Sequence, residues 1–181
     1  KHWDLVYMTQ PTRGCPFACT FCVNNAYLAM HPHQKPIRKR SVDNIIMELK
    51  GVKSNLPFTK IILFDDDAFF IMPVEEIRDF SIKYKKYIGL PLVVTGATPS
   101  TLTREKYAIL IDAGLVSIRM GIETAAKATK KFYKRPSSNM HVLKAGRLLG
   151  EYNNYAKIFY NIILDSPWDT DEDLTETLMF M

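Results

Sequence analysis

No stretch of this 181-residue chain stays apolar over the ~20 residues that a bilayer-crossing helix needs, which excludes a membrane span from it. No signal-peptide pattern is visible either, so a cytoplasmic location is expected. Cysteine is scarce. The only three cysteines crowd into one short segment, and an odd, clustered set cannot complete the disulfide framework of a small secreted domain. Lys and Arg outnumber Asp and Glu by 24 to 19, but no segment interleaves basic with stacking aromatic residues as RNA-binding modules do. The basic clusters at Lys35 to Arg40, Lys83/Lys85/Lys86 and Lys127/Lys130/Lys131/Lys134/Arg135 therefore read first as solvated faces, and a nucleic-acid partner is not expected. At 47% hydrophobic and 24% charged residues, the composition is that of one globular domain with a sizeable core, here taken as residues 1–181. The chain starts at Lys1 rather than Met and stops at Met181 inside a helical pattern, so a longer protein is expected around it.

What is present is concentrated at Cys15-Pro16-Phe17-Ala18-Cys19-Thr20-Phe21-Cys22, a CxxxCxxC. Thiolates select Fe–S clusters, and three on one loop hold three irons of a 4Fe-4S cube while leaving the fourth without a protein ligand. The competing reading is a zinc site of three Cys and one His, with His31 or His33 as the fourth ligand of a non-catalytic binding module. Structural zinc sites usually carry a second knuckle far downstream, and none follows here.

Along the chain, strand, loop and helix alternate. Leu5–Thr9, Lys60–Phe64, Leu92–Thr95, Leu115–Glu123 and Ala156–Leu164 are predicted strands. Between them, helices are expected from Ser41 as N-cap with Val42, Ile45, Ile46, Leu49 and Val52 on one face, and from Pro73 with Val74, Ile77, Phe80 and Tyr84. Further helices are expected over Thr103–Ala113, stopped by Gly114, and over Asn139–Tyr152, with a capping box at Thr170 opening another. Five strand–helix units imply an α/β fold with a parallel sheet. A doubly wound open sheet fits that alternation too. Chemistry placed after several different strand ends favours a curved, incomplete barrel.

Three strand ends carry that chemistry. Phe64-Asp65-Asp66-Asp67-Ala68-Phe69 closes the second strand with three carboxylates, a set that calls for a nearby cation or amine, or for solvent. In the fourth strand Val116, Ile118, Met120 and Ile122 share one face, and Ser117, Arg119, Gly121 and Glu123 the other. A face with an Arg and a Glu needs water, a partner or a ligand, or it is a self-satisfied ion pair. In the fifth, Asn161, Ile163 and Asp165 alternate with Tyr160, Ile162 and Leu164.

The cysteine loop, preceded by Arg13-Gly14, resembles the cluster loop of the radical S-adenosylmethionine (SAM) enzymes. Arg119-Met120-Gly121-Ile122-Glu123 is similar to that superfamily's R-x-G-[IV]-E strand, and Phe64 to Phe69 to the F-x-D-D-x-F element of its cobalamin-binding branch. Lys134-Arg135-Pro136 also looks like a segment of that branch. Asn161 to Thr170 resembles the G-x-I-x-G stretch and its following turn, departing from it with Asp165 in place of glycine and Asp169 in place of glutamate. The resemblance implies a six-unit β/α partial barrel, five units of it in this chain and a sixth strand beyond Met181. It implies a 4Fe-4S cluster on Cys15, Cys19 and Cys22, and SAM chelated to the open iron. It also implies Phe21 in the adenine wall, Glu123 with Arg119 and the Asp66/Asp67 pair orienting SAM, Gly121 admitting it, Asn161 along the nucleoside and Ile163 on the adenine.

The implied activity is reductive cleavage of SAM to a 5′-deoxyadenosyl radical, in a methyltransferase-type protein fed by flavodoxin or ferredoxin and acting on a small-molecule or natural-product substrate. RNA methylthiolation or another hydrogen abstraction is the alternative. No D-x-H-x-x-G cobalamin signature is present, which places any cobalamin domain before Lys1. No side chain is assigned as a hydrogen or proton donor.

Overall fold

The computed structural model describes residues 5–181. Five parallel strands form its sheet: β1 (Val6–Thr9), β4 (Ile61–Phe64), β5 (Leu92–Ala97), β6 (Leu115–Glu123) and β7 (Lys157–Ile162). They lie in chain order, each beside the next, and every connection returns through helix. A doubly wound sheet reverses its strand order at a switch point. This one never reverses, so it is the singly wound, incomplete barrel expected from the sequence.

The long helices form where their patterns predict. Ser41 caps α2 (Val42–Asn55) by accepting from Asn44 N–H at 3.2 Å, and the helix buries Val42, Ile45, Ile46, Leu49 and Val52. α3 (Val74–Tyr87) follows Pro73 and buries Ile77, Phe80 and Tyr84. Phe64 from β4, Phe69 and these rings form an aromatic cluster with centroids 5.2–6.1 Å apart, each contact worth ~0.5–1.5 kcal/mol beyond its buried area. α4 (Arg104–Ala113) stops at Gly114, whose φ of 106° lies in the left-handed region that glycine tolerates. α6 (Asn139–Gly150) and α7 (Asp171–Phe180) each open with a capping box, at Ser138/His141 and Thr170/Asp173.

Several elements depart from the sequence expectation. The cysteine loop does not follow β1 directly: β2 (Thr12–Gly14) intervenes and pairs antiparallel with β3 (Ile37–Lys39), so the loop and the short α1 (Val23–Met30) hang between the arms of a hairpin. A further helix, α5 (Lys127–Phe132), forms within the basic cluster after β6. Val116, expected on the apolar face of β6, is exposed, and Leu115 is buried instead. The register explains this: Leu92 pairs with Leu115 but Val93 with Ser117, leaving Val116 as the extra residue of a bulge. The β7 edge strand ends at Ile162, short of the predicted Leu164.

Candidate active site

The register slips again at the carboxyl ends of the strands, where it positions chemistry. Val94 pairs with Ile118 and Ala97 with Met120, so β5 carries an extra residue around Thr95 and Gly96. Gly96 has φ +73°, and a Cβ there would sit 2.2 Å from the Asp66 carbonyl oxygen. The bulged β5 end is thereby pressed against the backbone of the Asp65-Asp66-Asp67 turn. On β6, Gly121 pairs with Asn161 and Glu123 with Ile162; the bulge at Ile122 leaves Glu123 at φ 70°. Such bulges re-aim side chains beside functional sites.

These ends and the cysteine loop enclose a cavity of about 220 Å³. Cys15, Cys19, Cys22, Phe21, Asp66, Asp67, Arg119, Gly121, Glu123 and Asn161 all line it, so residues from three strand ends and one loop, chosen from sequence, share one space. Ile163 does not line it. That residue lies beyond β7, its N–H donating to the Glu123 carbonyl at 2.7 Å, which holds the end of the sheet together.

The loop is anchored from behind. Thr20 donates its N–H to Tyr133 O at 3.1 Å and its hydroxyl to Phe132 O at 3.1 Å, while Phe21 packs edge-on against Tyr133 at 4.9 Å. Cys19 is buried and Cys15 and Cys22 are half-buried; none is disulfide-bonded. Burial holds the Cys15 thiol above its ordinary value, and the neighbouring Cys19, Cys22 and Asp67 add to the rise. So placed, the Cys15 thiol favours its protonated state until a cation arrives to hold it as a thiolate.

The two aspartates separate in role. Asp66 is buried and accepts from Thr12 N–H at 2.6 Å, from the Thr12 hydroxyl and from Ala68 N–H at 2.9 Å. Both of its oxygens accept from Thr12, so Asp66 ties the β4 end to the root of the hairpin while lining the cavity. Its carboxyl is nonetheless raised, burial outweighing those hydrogen bonds. Among the described residues Asp67 accepts only from Gly14 N–H, at 3.0 Å, and it lines the cavity. Glu123 is likewise raised by burial, with Arg135 pulling the other way. The space above Gly121 is taken by Glu123 itself, whose Oε1 would stand 2.2 Å from an added Cβ.

Arg135 is the residue that sequence reasoning undervalued, having placed it in a basic cluster and in a segment resembling the cobalamin-binding branch without giving it a role at the site. It donates through Nη2 to Gly121 O at 2.6 Å and through Nη1 to Cys19 Sγ at 3.6 Å, and its guanidinium lies 6.0 Å from the Phe21 ring centroid. Its Nε is buried without a hydrogen-bond partner among the described residues. One cation thus links the cysteine loop to the Gly121–Glu123 strand end.

A Radical SAM superfamily profile matches residues 9–181. The chain belongs to the radical SAM superfamily. That family uses a 4Fe-4S cluster and SAM. The anaerobic magnesium-protoporphyrin IX monomethyl ester cyclase of Cereibacter sphaeroides is 28% identical over 179 residues, covering 91% of this chain and 26% of the cyclase. The radical SAM methyltransferase TsrM from Kitasatospora setae, solved with tryptophan and a SAM analogue, superposes with a TM-score of 0.77 at 14% identity, over 97% of this chain and 33% of TsrM. The cobalamin-dependent SAM radical enzyme OxsB, solved with aqua-cobalamin and SAM, superposes with a TM-score of 0.72 at 19% identity, over 96% of this chain and 26% of OxsB. The chain therefore spans about a quarter of the curated relative's length. Among the described residues no helix is long and apolar enough to cross a membrane.

Proposed function

We propose that this chain is the catalytic core of a larger cobalamin-branch radical SAM enzyme, with Cys15, Cys19 and Cys22 holding a 4Fe-4S cluster and the adjoining polar strand ends holding SAM. The observation that carries it is the single cavity on which all three thiols and Asp67, Arg119, Glu123 and Asn161 open. The donor set fits a cube, which spreads its ligands over three corners. His31, a candidate fourth ligand of a zinc site, lines the neighbouring cavity between the hairpin and α1 and not the one the thiols line, which favours the cluster over the zinc module.

Bound and reduced, the cluster and SAM together supply a 5′-deoxyadenosyl radical. The chain's own residues do the rest. Phe17 and Phe21 flank the thiols and limit water around them. Asp67 retains a carboxylate oxygen for an ammonium group, Arg119 and Glu123 line the polar wall, and Arg135 offers its unpartnered Nε to an anionic group.

An upstream cobalamin domain and a methyl-transferring outcome are supported by the likeness to OxsB and TsrM, and a small-molecule substrate by the tryptophan bound to TsrM. A second reading, hydrogen abstraction leading to ring formation, is favoured by the sequence likeness to the cyclase. Product analysis of the full-length protein decides between them. A cytoplasmic location suits the oxygen-sensitive cluster either reading needs.

Anaerobic reconstitution should give about four irons per chain and, with a chemical reductant, slow release of 5′-deoxyadenosine from SAM. One tightly held zinc and no iron uptake would remove the proposal. Glu123→Gln should leave the cluster's absorption intact and weaken SAM binding by about ten- to a hundredfold, the ~1.5–3 kcal/mol of a hydrogen bond to a charged group. Unchanged SAM affinity by equilibrium dialysis would assign Glu123 to holding Arg135 alone.

A further inference from the structure

α1 is unusual for a globular protein because none of its residues is buried. Val23, Tyr27 and Met30 recur at i, i+4 and i+7, the spacing of one helix face, and are 63%, 58% and 70% exposed. A helix normally turns such a stripe toward a core; this one turns it outward. Exposed apolar patches with a polar rim mark interaction surfaces.

The rim is basic. Arg13 and Arg38 stand directly opposite each other across the β2–β3 hairpin, where like charges repel. The other hairpin cations are neutralised, Lys39 by Glu76 and Arg40 by Glu48, whereas Arg13, Arg38 and Lys35 have no ion-pair partner among the described residues. All three line, with Tyr27, a cavity of about 290 Å³ between hairpin and helix, whose one carboxylate is Asp67. Two unpaired arginines held face to face are a site that a partner's carboxylates would relieve.

Position identifies the partner. Arg13 precedes Cys15 by two residues, Val23 directly follows Cys22, and the basic cavity shares Asn24 and Asp67 with the cysteine-lined one, so this face adjoins the proposed cluster loop. We propose that the Val23–Tyr27–Met30 stripe and its Arg13/Arg38/Lys35 rim form the docking site of an acidic one-electron carrier protein, which passes to the cluster the single electron that SAM cleavage consumes. The donor is oxidised by one electron and the cluster reduced by one; no bond is made or broken at this face. The inference rests on the cluster assignment above.

The test uses the reconstituted full-length protein and two reductants followed by stopped-flow bleaching: an acidic flavodoxin in its hydroquinone form, and reduced methyl viologen, a small cation that needs no docking face. Arg13→Glu/Arg38→Glu should slow reduction by flavodoxin about tenfold or more at low salt while leaving the viologen rate undiminished. Wild-type reduction by flavodoxin should fall steeply with added salt. Lys35→Glu/Tyr27→Asp, two exposed side chains outside the hairpin pairing, should show the same selectivity and covers the case in which the arginine variant loses its cluster. Salt-independent wild-type reduction, unchanged flavodoxin rates, as when another part of the protein covers this face, or equal slowing with both reductants would overturn the docking site with the cluster assignment intact. Failure of the wild type to take up a cluster would instead overturn the assignment, and the docking site with it.

Discussion

Cys19→Ala should abolish retention of the cluster, taking iron and sulfide after reconstitution and desalting from about four of each per chain to nearly none. Cys19 is the innermost of the three thiols, 5% exposed, and the one to which Arg135 donates. Its removal leaves two half-buried ligands at the mouth of the cavity, which cannot hold three corners of a cube. The fold should survive. A buried cysteine packs as a small hydrophobe, and replacing it by alanine deletes one sulfur, a change of about 1 kcal/mol in a domain stabilised by ~5–15 kcal/mol. The loop's anchors, Thr20 on Tyr133 O and Phe132 O and the Phe21–Tyr133 contact, do not involve that sulfur. Iron content and urea unfolding measured on one preparation separate the two effects. Wild-type iron in the variant would place the ligands elsewhere.

The parts of the fold legible in the sequence were those in which burial writes a pattern. β4 and β5 are short apolar runs, β6 alternates apolar and polar residues, and α2 and α3 carry apolar residues at helical spacing beneath recognisable starts at Ser41 and Pro73. The hairpin was invisible because Thr12-Arg13-Gly14 and Ile37-Arg38-Lys39 are three-residue strands with almost no core to face. α1 escaped because its eight residues carry no side-chain N-cap and bury nothing, leaving the Val23, Tyr27 and Met30 spacing as its one local signal. At the site, the cysteine spacing and the polar face of β6 were readable because ligand type and period-two alternation are local properties. The division of labour between Asp66 and Asp67 was not. Adjacent and chemically identical, they are distinguished by burial of the first and by Thr12, 54 residues away in the chain, which donates to both of its oxygens. Arg135 likewise reaches Cys19 across 116 residues, a contact no spacing rule encodes. Gly96 lay just past the predicted Leu92–Thr95 strand, and only the longer β5 makes it a glycine inside a strand, the mark of a bulge or a close backbone approach.

That glycine carries the largest stability effect expected of a single methyl group in this chain. Gly96→Ala must place a Cβ 2.2 Å from Asp66 O, 2.9 Å from the Asp67 carbonyl carbon and 3.0 Å from Ala68 N. All three are backbone atoms of the carboxylate turn, so no side chain can swing aside to relieve the clash. The φ of +73° adds about 1–2 kcal/mol for an L residue, and overpacking against fixed backbone about 1–3 kcal/mol more. A loss of about 2–5 kcal/mol is a large share of the ~5–15 kcal/mol that holds such a domain. The damage should also spread to the site, because a displaced Asp66 releases Thr12, and Thr12 roots the hairpin that carries the cysteine loop. Reduced cluster uptake should therefore accompany an earlier urea midpoint. Gly51→Ala is the internal control: it lies inside α2 with only the Asn55 side-chain nitrogen 4.0 Å from an added Cβ, so it should be neutral or stabilising by up to ~1 kcal/mol. If the two variants unfold at the same urea concentration with the same slope, β5 and the carboxylate turn are not pressed together as described, and the site's wall is assembled in some other way.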